Sequence, residues 1–141
     1  MLTIVEKVML LQEVDIFKFT STEDLAHIAT ITMEIELTNN QVLFNEGDIP
    51  DAIYMVIEGG VRLSRNNQEI MIAKSMDVFG TWALFDDEPQ VVDAATLQES
   101  KLLRIDREDF IDLLADHVQI TQGILKALVK KMRSLVGRVG L

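Results

Sequence analysis

The chain has 141 residues, 48% of them hydrophobic, and a formal net charge of −10 at neutral pH. This composition predicts one globular domain and argues against disorder, and because there is no cysteine, disulfides and thiolate metal sites are excluded. The acidic balance argues against direct nucleic-acid binding, and neither a membrane span nor a secretory signal is recognisable, so we expect a cytoplasmic protein.

Two helices are predicted at the N-terminal end. Apolar residues at helical spacing indicate a helix over residues 3–12. A second helix is predicted from Thr22 to Thr30, because Ser21 is a suitable N-cap and acidic residues occupy the first turn. Residues 1–30 are therefore interpreted as a helical lead-in.

From Ile31 onward the periodicity becomes that of β-strands. Met33, Ile35 and Leu37 alternate with glutamates, which is typical of a strand with one face in water. Further short strands are predicted between turns rich in Asn, Gly and Pro, over residues 42–44, 52–57, 61–64, 70–72, 78–79, 91–97 and 101–105. Strands at this spacing, with no long helix between them, predict an antiparallel jelly-roll barrel over residues 31–105.

Residues 77–92, with the sequence DVFGTWALFDDEPQVV, connect a strand to a short helix that starts near Thr81 and then to an acidic turn. Gly80 lies where the backbone turns sharply, and a glycine there permits positive φ and the close approach of a ligand. The amides of Thr81, Trp82 and Ala83 are then expected to be the unpaired first N–H groups of a helix, an arrangement that binds anions. Many strand-to-helix turns with a glycine bind nothing, so this pattern alone leaves both interpretations open.

The order F-G-x-x-A-L-x-x-x-x-P from Phe79 to Pro89 resembles the phosphate-binding cassette of the cyclic nucleotide-binding domain family. The segments N-E-G-D (residues 45–48), Y-M-V-I-E-G (54–59) and K-L-L-R-I-D (101–106) are similar to other landmarks of that family. Met76 departs from it, because a glycine usually precedes the aspartate. The resemblance runs from about Leu10 to Leu135 and implies one regulatory domain, of the type found in catabolite-activator-like proteins. Its parts would be the lead-in (1–30), the barrel (31–105) and C-terminal helices (106–141).

Two positions that contact the ligand in this family hold other residues here. The family usually has a glutamate for the ribose hydroxyl and an arginine for the cyclic phosphate, where this chain has Thr81 and Gln90. The candidate pocket therefore comprises Gly80, Thr81, Trp82, Ala83, Gln90 and Val91, together with Arg62 from a neighbouring strand. Losing two charge-assisted hydrogen bonds, each worth about 1.5–3 kcal/mol, would weaken binding by about 100-fold to 10,000-fold. We accordingly expect cyclic AMP to bind no more tightly than in the high micromolar range.

The C-terminal part is predicted to be helical, with Asp106 as the N-cap of a first helix and a long helix reaching about Val136. Three of its apolar residues, Ile120, Ile124 and Ala127, are expected to lie on the barrel. From Gln119 onward the chain has five basic residues and no acidic one. That charge indicates either a solvated face that complements the helix dipole or docking onto an acidic surface.

A second apolar stripe follows a heptad repeat on the long helix. Val118, Leu125, Met132 and Val139 occupy one heptad position and Leu128 and Leu135 the other. A helix that is apolar on two sides requires two partners, so we predict a homodimer formed through Leu125, Leu128, Met132 and Leu135. The alternative is a single broad face on one core.

Catalytic chemistry finds little support in the sequence. A jelly roll can also be a metal-dependent enzyme, but the two histidines, His27 and His117, fall on predicted helices outside the barrel and are interpreted as surface or interface residues. No nucleophile elbow or P-loop is present. We therefore expect neither an enzyme nor a metal or cofactor site. Two functions remain open: a sensor whose effector, a cyclic nucleotide or another small molecule, repositions the C-terminal helix, and a ligand-free scaffold for dimerisation or docking.

Overall fold

The computed structural model describes residues 1–138, with only the backbone described at Trp82 and Arg138. These residues group into two compact units, residues 31–110 and a second unit that combines residues 2–30 with the stretch from residue 111 onward. Whether the whole chain acts as one domain stays a prediction. The helices are α1 (Ile4–Leu11), α2 (Thr22–Thr30), α3 (Arg107–Asp116) and α4 (Val118–Arg138), with 3₁₀ helices at Asp15–Phe17 and Thr81–Leu84. Among the described residues, none of these helices is long and apolar enough to span a bilayer.

The first unit contains two four-stranded antiparallel sheets, which confirms the predicted jelly-roll architecture. The strands are β1 (Thr32–Leu37), β2 (Val42–Phe44), β3 (Ala52–Glu58), β4 (Val61–Arg65), β5 (Gln68–Ala73), β6 (Val78–Phe79), β7 (Asp93–Thr96) and β8 (Ser100–Asp106). One sheet has the order β1-β8-β3-β6 and the other β2-β7-β4-β5. Consecutive strands therefore often lie in different sheets, which is the pattern of a jelly roll.

The inner faces of the two sheets enclose the core of this unit. Its members are Phe44, Ala52, Tyr54, Val56, Val61, Leu63, Ala73, Phe79, Ala94 and Leu102. The predicted inward face of β1 is confirmed for Ile35 and Leu37, which pack against this core, but not for Met33, which is 43% exposed. Three aromatic rings, those of Phe44, Tyr54 and Phe79, fill the space between the sheets with centroid separations of 5.3–6.3 Å.

Turns between the strands use left-handed residues as the sequence predicts. Asn66 and Asn67 have φ values of 54° and 63°, the geometry of the tight hairpin that joins β4 to β5. Met76, at the position where the family usually has glycine, adopts φ 76°. Its amide donates to the carbonyl of Val56, so the turn before β6 is formed although a methionine must take a conformation that glycine takes freely.

In the second unit, α1 packs against α2 and α4 packs against the 3₁₀ helix at Asp15–Phe17. Ile120, Ile124 and Ala127 are buried on α4, and within this unit the helix packs against the lead-in. That these three residues also lie on the barrel stays a prediction. Gly123 explains the close approach, because a Cβ there would lie 3.0 Å from the carbonyl oxygen of Phe19. A salt bridge of 3.3 Å between Lys131 and Asp15 adds to this packing.

Candidate ligand-binding site

Gly80 directly follows β6 and has φ 82°, as the sequence predicts. A Cβ at this position would lie 2.9 Å from the carbonyl oxygen of Ala52 and 3.7 Å from the Cα of Ile53. Both the positive φ and the neighbouring backbone of β3 therefore require glycine. This residue fixes the direction in which the chain enters the 3₁₀ helix at Thr81–Leu84.

The helix after Gly80 offers fewer free amides than the sequence predicts. It is a 3₁₀ helix of four residues, and the amide of Ala83 donates to the carbonyl of Gly80 at 2.9 Å. The expectation that Thr81, Trp82 and Ala83 all present unpaired amides is thus wrong for Ala83, because a 3₁₀ helix closes its hydrogen bonds after three residues. At most two amides remain for an anion. Ala83 itself is buried, and Thr81 is half-buried.

The end of the segment is held by the turn at residues 45–48. The amide of Gln90 donates to the carbonyl of Asp48, and the amide of Gly47 donates to the carbonyl of Gln90, each at 2.8 Å. Next to these bonds, the amide of Glu46 donates to the carboxylate of Asp93 at 2.7 Å. The backbone around Gln90 is therefore fixed from both sides, while its side chain is half-buried.

Two arginines from outside residues 77–92 contact the backbone of this segment. Nε of Arg65 donates to the carbonyl of Val91 at 2.9 Å, and Nη1 of Arg107 donates to the carbonyl of Asp86 at 2.7 Å. Neither arginine is a candidate from the sequence alone, because both lie outside the segment along the chain. For Arg65 the sequence does not reveal the β-bulge between Leu63 and Ser64, which changes the alternation of side chains before Arg65.

Arg62 does not join the other candidate residues. It lies on β4 between the buried Val61 and Leu63 and therefore faces away from the core. Its guanidinium lies 3.7 Å from the carboxylate of Glu69 and donates to the carbonyl of Asn67. The alternation of side chains along β4 therefore contradicts the prediction that Arg62 belongs to the candidate pocket.

A further cation, Arg104, lies on the inner face of β8. It donates to the carboxylates of Asp106 and Asp51 at 2.6 and 3.3 Å and to the hydroxyl of Tyr54 at 3.1 Å. Burial raises the pKa of the Tyr54 hydroxyl, and the positive charge of Arg104 partly opposes that shift. Asp106, predicted to cap α3, accepts from Arg104. The positive charge of Arg104 is thus balanced by two carboxylates of the protein itself, without a ligand.

A model of the family named "Cyclic nucleotide-binding domain" matches residues 34–117, more than half of the chain. The chain belongs to this family. The match includes both sheets from the third residue of β1, the segment at residues 77–92 and the whole of α3. The resemblance that the cassette residues suggest is thereby confirmed.

Known members share the domain rather than the complete protein. A CRP-like cAMP-activated global transcriptional regulator of Mycobacterium tuberculosis is 24% identical over 129 residues, which cover 88% of this chain and 58% of the regulator. A lysophospholipase of Neurospora crassa is 28% identical, over 83% of this chain but only 8% of the enzyme. The chain therefore spans little more than half of the CRP-like regulator, and the match to the enzyme carries no argument for catalysis.

Solved structures show the same fold. The N-terminal domain of a transcriptional regulator from Streptomyces coelicolor A3(2) superposes with a TM-score of 0.84 at 25% identity, covering 94% of this chain and 96% of that domain. The agreement extends over nearly the full length of both chains.

As a cyclic nucleotide-binding domain, the chain retains the backbone of the cassette and lacks its usual charges. Gly80 and the clamped Gln90 backbone hold the two ends of the segment in place. The side chains at the two usual contact positions, Thr81 and Gln90, are neutral.

The predicted dimer residues lie on the exposed side of α4. Leu125, Met132 and Leu135 are 56%, 64% and 59% exposed, and Leu128 is half-buried. Val129 and Val136 extend the same apolar stripe. Val139 lies outside the described residues. The two-sided character of the helix is thus present, with one side buried on the lead-in and the other uncovered.

Proposed function

We propose that this domain is a regulatory module whose cassette binds a small anionic effector, with affinity for cyclic nucleotides reduced by the neutral residues Thr81 and Gln90. The observation that carries the proposal is the fixed backbone from Gly80 to Gln90. Such a backbone supplies orientation, whereas the lost charge-assisted bonds remove affinity. A regulatory role is consistent with the family to which the chain belongs.

Contacts from the cassette to α3 supply a route for the output. Arg107, the first residue of α3, donates to the carbonyl of Asp86. The ring of Phe85 meets that of Phe110 edge to face, with centroids 6.4 Å apart, and Phe110 is fully buried. A ligand that moves residues 81–86 must therefore strain or shift the first turn of α3. Differential contact of this kind is what a ligand requires in order to change a conformational equilibrium.

The decisive experiment is calorimetric titration with cyclic AMP and cyclic GMP. We expect a dissociation constant no lower than the high micromolar range for the natural chain. The double variant Thr81→Glu, Gln90→Arg should bind about 100-fold to 10,000-fold more tightly, because the backbone that aims these side chains is already in place. The control is Gln119→Arg, which adds the same charge as Gln90→Arg on an exposed residue of α4. Tight binding by the natural chain, or no gain in the double variant, would contradict the proposal.

Arg65 and Arg62 form a matched pair for testing the remaining electrostatics. Arg65 contacts the carbonyl next to Gln90, whereas Arg62 is paired with Glu69 on the outer face. We expect Arg65→Gln to weaken binding of the effector, with cyclic AMP as the probe, by about 10-fold, as for one charge-assisted interaction. Arg62→Gln removes the same charge from the same strand and should leave affinity unchanged. Equal losses in both variants would show that only net charge matters.

A second function, dimerisation through α4, is favoured by its uncovered stripe. Leu125, Met132 and Leu135 continue the heptad pattern on the exposed side of a helix whose other side is already buried. A second copy of the helix is the simplest partner that satisfies such a repeat. The basic residues nearby weaken a self-association, which makes the predicted dimer dependent on salt.

Sedimentation equilibrium tests the dimer directly. The natural chain should show dimer mass at micromolar concentration and higher affinity at higher salt. Met132→Glu places a charge on the stripe and should yield monomers, whereas Gln119→Glu adds the same charge on the polar side of α4 and should not. Monomer mass for the natural chain at high concentration would eliminate this function while leaving ligand binding untouched.

A further inference from the structure

Three potential metal ligands converge in the unit formed by the terminal segments. Asp24 and His27 lie one turn apart on α2, and His117 lies between α3 and α4. One carboxylate oxygen and one nitrogen from each imidazole lie within 4.8 Å of one another. The two imidazole rings are 4.3 Å apart, with an angle of 31° between their planes. The sequence predicts surface or interface positions for both histidines but not their proximity, which depends on the packing of distant parts of the chain.

The local structure does not otherwise employ these side chains. Ser21 caps α2 by accepting from the amide of Asp24, so the carboxylate of Asp24 is not needed as a cap. Within the part of the chain that the structure describes, the hydrogen bonds and salt bridges do not include these three side chains. Two imidazoles and a carboxylate that face one another without bonding to one another form an arrangement that a shared cation would stabilise.

We propose that Asp24, His27 and His117 form a binding site for a divalent transition-metal ion of the zinc class. Nitrogen and oxygen ligands bind zinc at about 2.0–2.2 Å, so donor atoms on one tetrahedral ion lie about 3.3–3.5 Å apart. Small side-chain rotations bring the three donors to that separation. Two imidazoles select zinc, nickel, cobalt or copper over magnesium and calcium, which prefer oxygen ligands. The fourth position is left to water or to an added ligand.

Metal binding at this position would join α2 to the junction of α3 and α4. His117 is the residue at which the first C-terminal helix ends and the long one begins. An ion held by both segments fixes that junction to the lead-in and stabilises the folded state, because the unfolded chain does not bring the three ligands together. This inference is independent of the cassette and survives if the proposed effector binding fails.

The test uses the untagged chain, which has no cysteine and only these two histidines. Imidazole coordination in this chain therefore reports the site. Titration calorimetry with ZnCl₂ near neutral pH should give one ion per chain with a micromolar or lower dissociation constant. Co²⁺ should produce the visible absorption of a nitrogen and oxygen site. At about one hundred times the dissociation constant, the melting temperature should rise by about 5–10 °C. MgCl₂ at the same concentration should have no effect.

Ligand variants with a matched control decide the assignment. His117→Gln and Asp24→Asn should each weaken zinc binding by about 10-fold to 100-fold or more. Glu23→Gln removes an exposed carboxylate from the neighbouring position of α2 and should leave binding unchanged. Circular dichroism checks folding, and His27→Gln supplies the same test if one variant does not fold. Failure of the natural chain to bind zinc at about 100 μM, or equal affinities for Asp24→Asn and Glu23→Gln, would overturn the proposal.

Discussion

Residues 77–92 and the helix α4 are constrained in opposite ways. In the cassette the backbone is fixed, by Gly80 at one end and by paired hydrogen bonds to Gln90 at the other, while its side chains offer a ligand little charge. In α4 the backbone is a regular helix with a buried side, whereas the exposed side is apolar and uncovered. The comparison shows that the cassette has a defined backbone conformation but few charges, whereas α4 has an apolar exposed surface.

The largest expected effect concerns the two sides of α4. Ile124 is buried and Leu125, its neighbour in sequence, is 56% exposed. Ile124→Ala should lower the free energy of unfolding by about 2–4 kcal/mol, because it leaves a cavity, whereas Leu125→Ala in the monomer should change it by less than about 0.5 kcal/mol. Urea denaturation at low protein concentration measures both. If Leu125→Ala costs as much as Ile124→Ala, the exposed side of α4 is already covered in the monomer.

The second prediction concerns the fixed backbone of the cassette. Gly80→Ala should cost about 2–4 kcal/mol of stability, because the added Cβ combines left-handed strain with a contact of 2.9 Å to the carbonyl of Ala52. Gly47 is the matched control, since it has φ 91° and an added Cβ there would meet nothing within 4 Å. Gly47→Ala should therefore cost only the strain, about 1–2 kcal/mol. Equal losses in thermal unfolding would show that β3 does not restrict Gly80.

Much of the shape of the cassette could be predicted from the sequence, because its determinants are local. The glycine after a strand, the asparagine turns and the period-two alternation each depend on neighbours within a few residues. The electrostatics could not be predicted in the same way. Arg65 reaches Val91 because of a bulge and a strand pairing, and Arg107 reaches Asp86 because a later helix begins beside the cassette. Such contacts depend on register, which local patterns do not determine.

The terminal unit shows the same division between local and distant information. Its helices, the Ser21 cap and the two-sided character of α4 follow from local patterns. The partner of the buried side does not, because any apolar surface satisfies the same periodicity. Gly123, a residue type with low helix propensity, is explained only by the nearby carbonyl of Phe19. The encounter of His27 with His117 likewise requires the tertiary structure.

Met76 gives a smaller effect at the turn that leads into the cassette. A φ of 76° costs a residue with a side chain about 1–2 kcal/mol. Glycine avoids this strain but loses more backbone entropy on folding, so that the substitution recovers only part of the cost. Met76→Gly should therefore raise the free energy of unfolding by about 0.5–1 kcal/mol. Its control is Ser75→Gly, at an exposed neighbouring position without positive φ, which also removes the hydrogen bond from the Ser75 hydroxyl to the carbonyl of Ile57 and should destabilise. A loss of stability in Met76→Gly would mean that the methionine side chain contributes packing worth more than the strain.

The smallest effect is a pH dependence that arises beside the cassette, where Tyr54 contacts Arg104. Because burial raises the pKa of Tyr54 in the folded state, the unfolded chain loses this proton first as the pH rises. The contribution of Tyr54 to stability is therefore complete below the ordinary tyrosine pKa of about 10 and is lost as the pH rises through the higher folded value. Tyr54→Phe should flatten the decline of the urea midpoint above about pH 10 relative to the natural chain. An unchanged decline would mean that groups other than Tyr54 govern alkaline unfolding. The backbone of the cassette would then be independent of the ionisation of Tyr54.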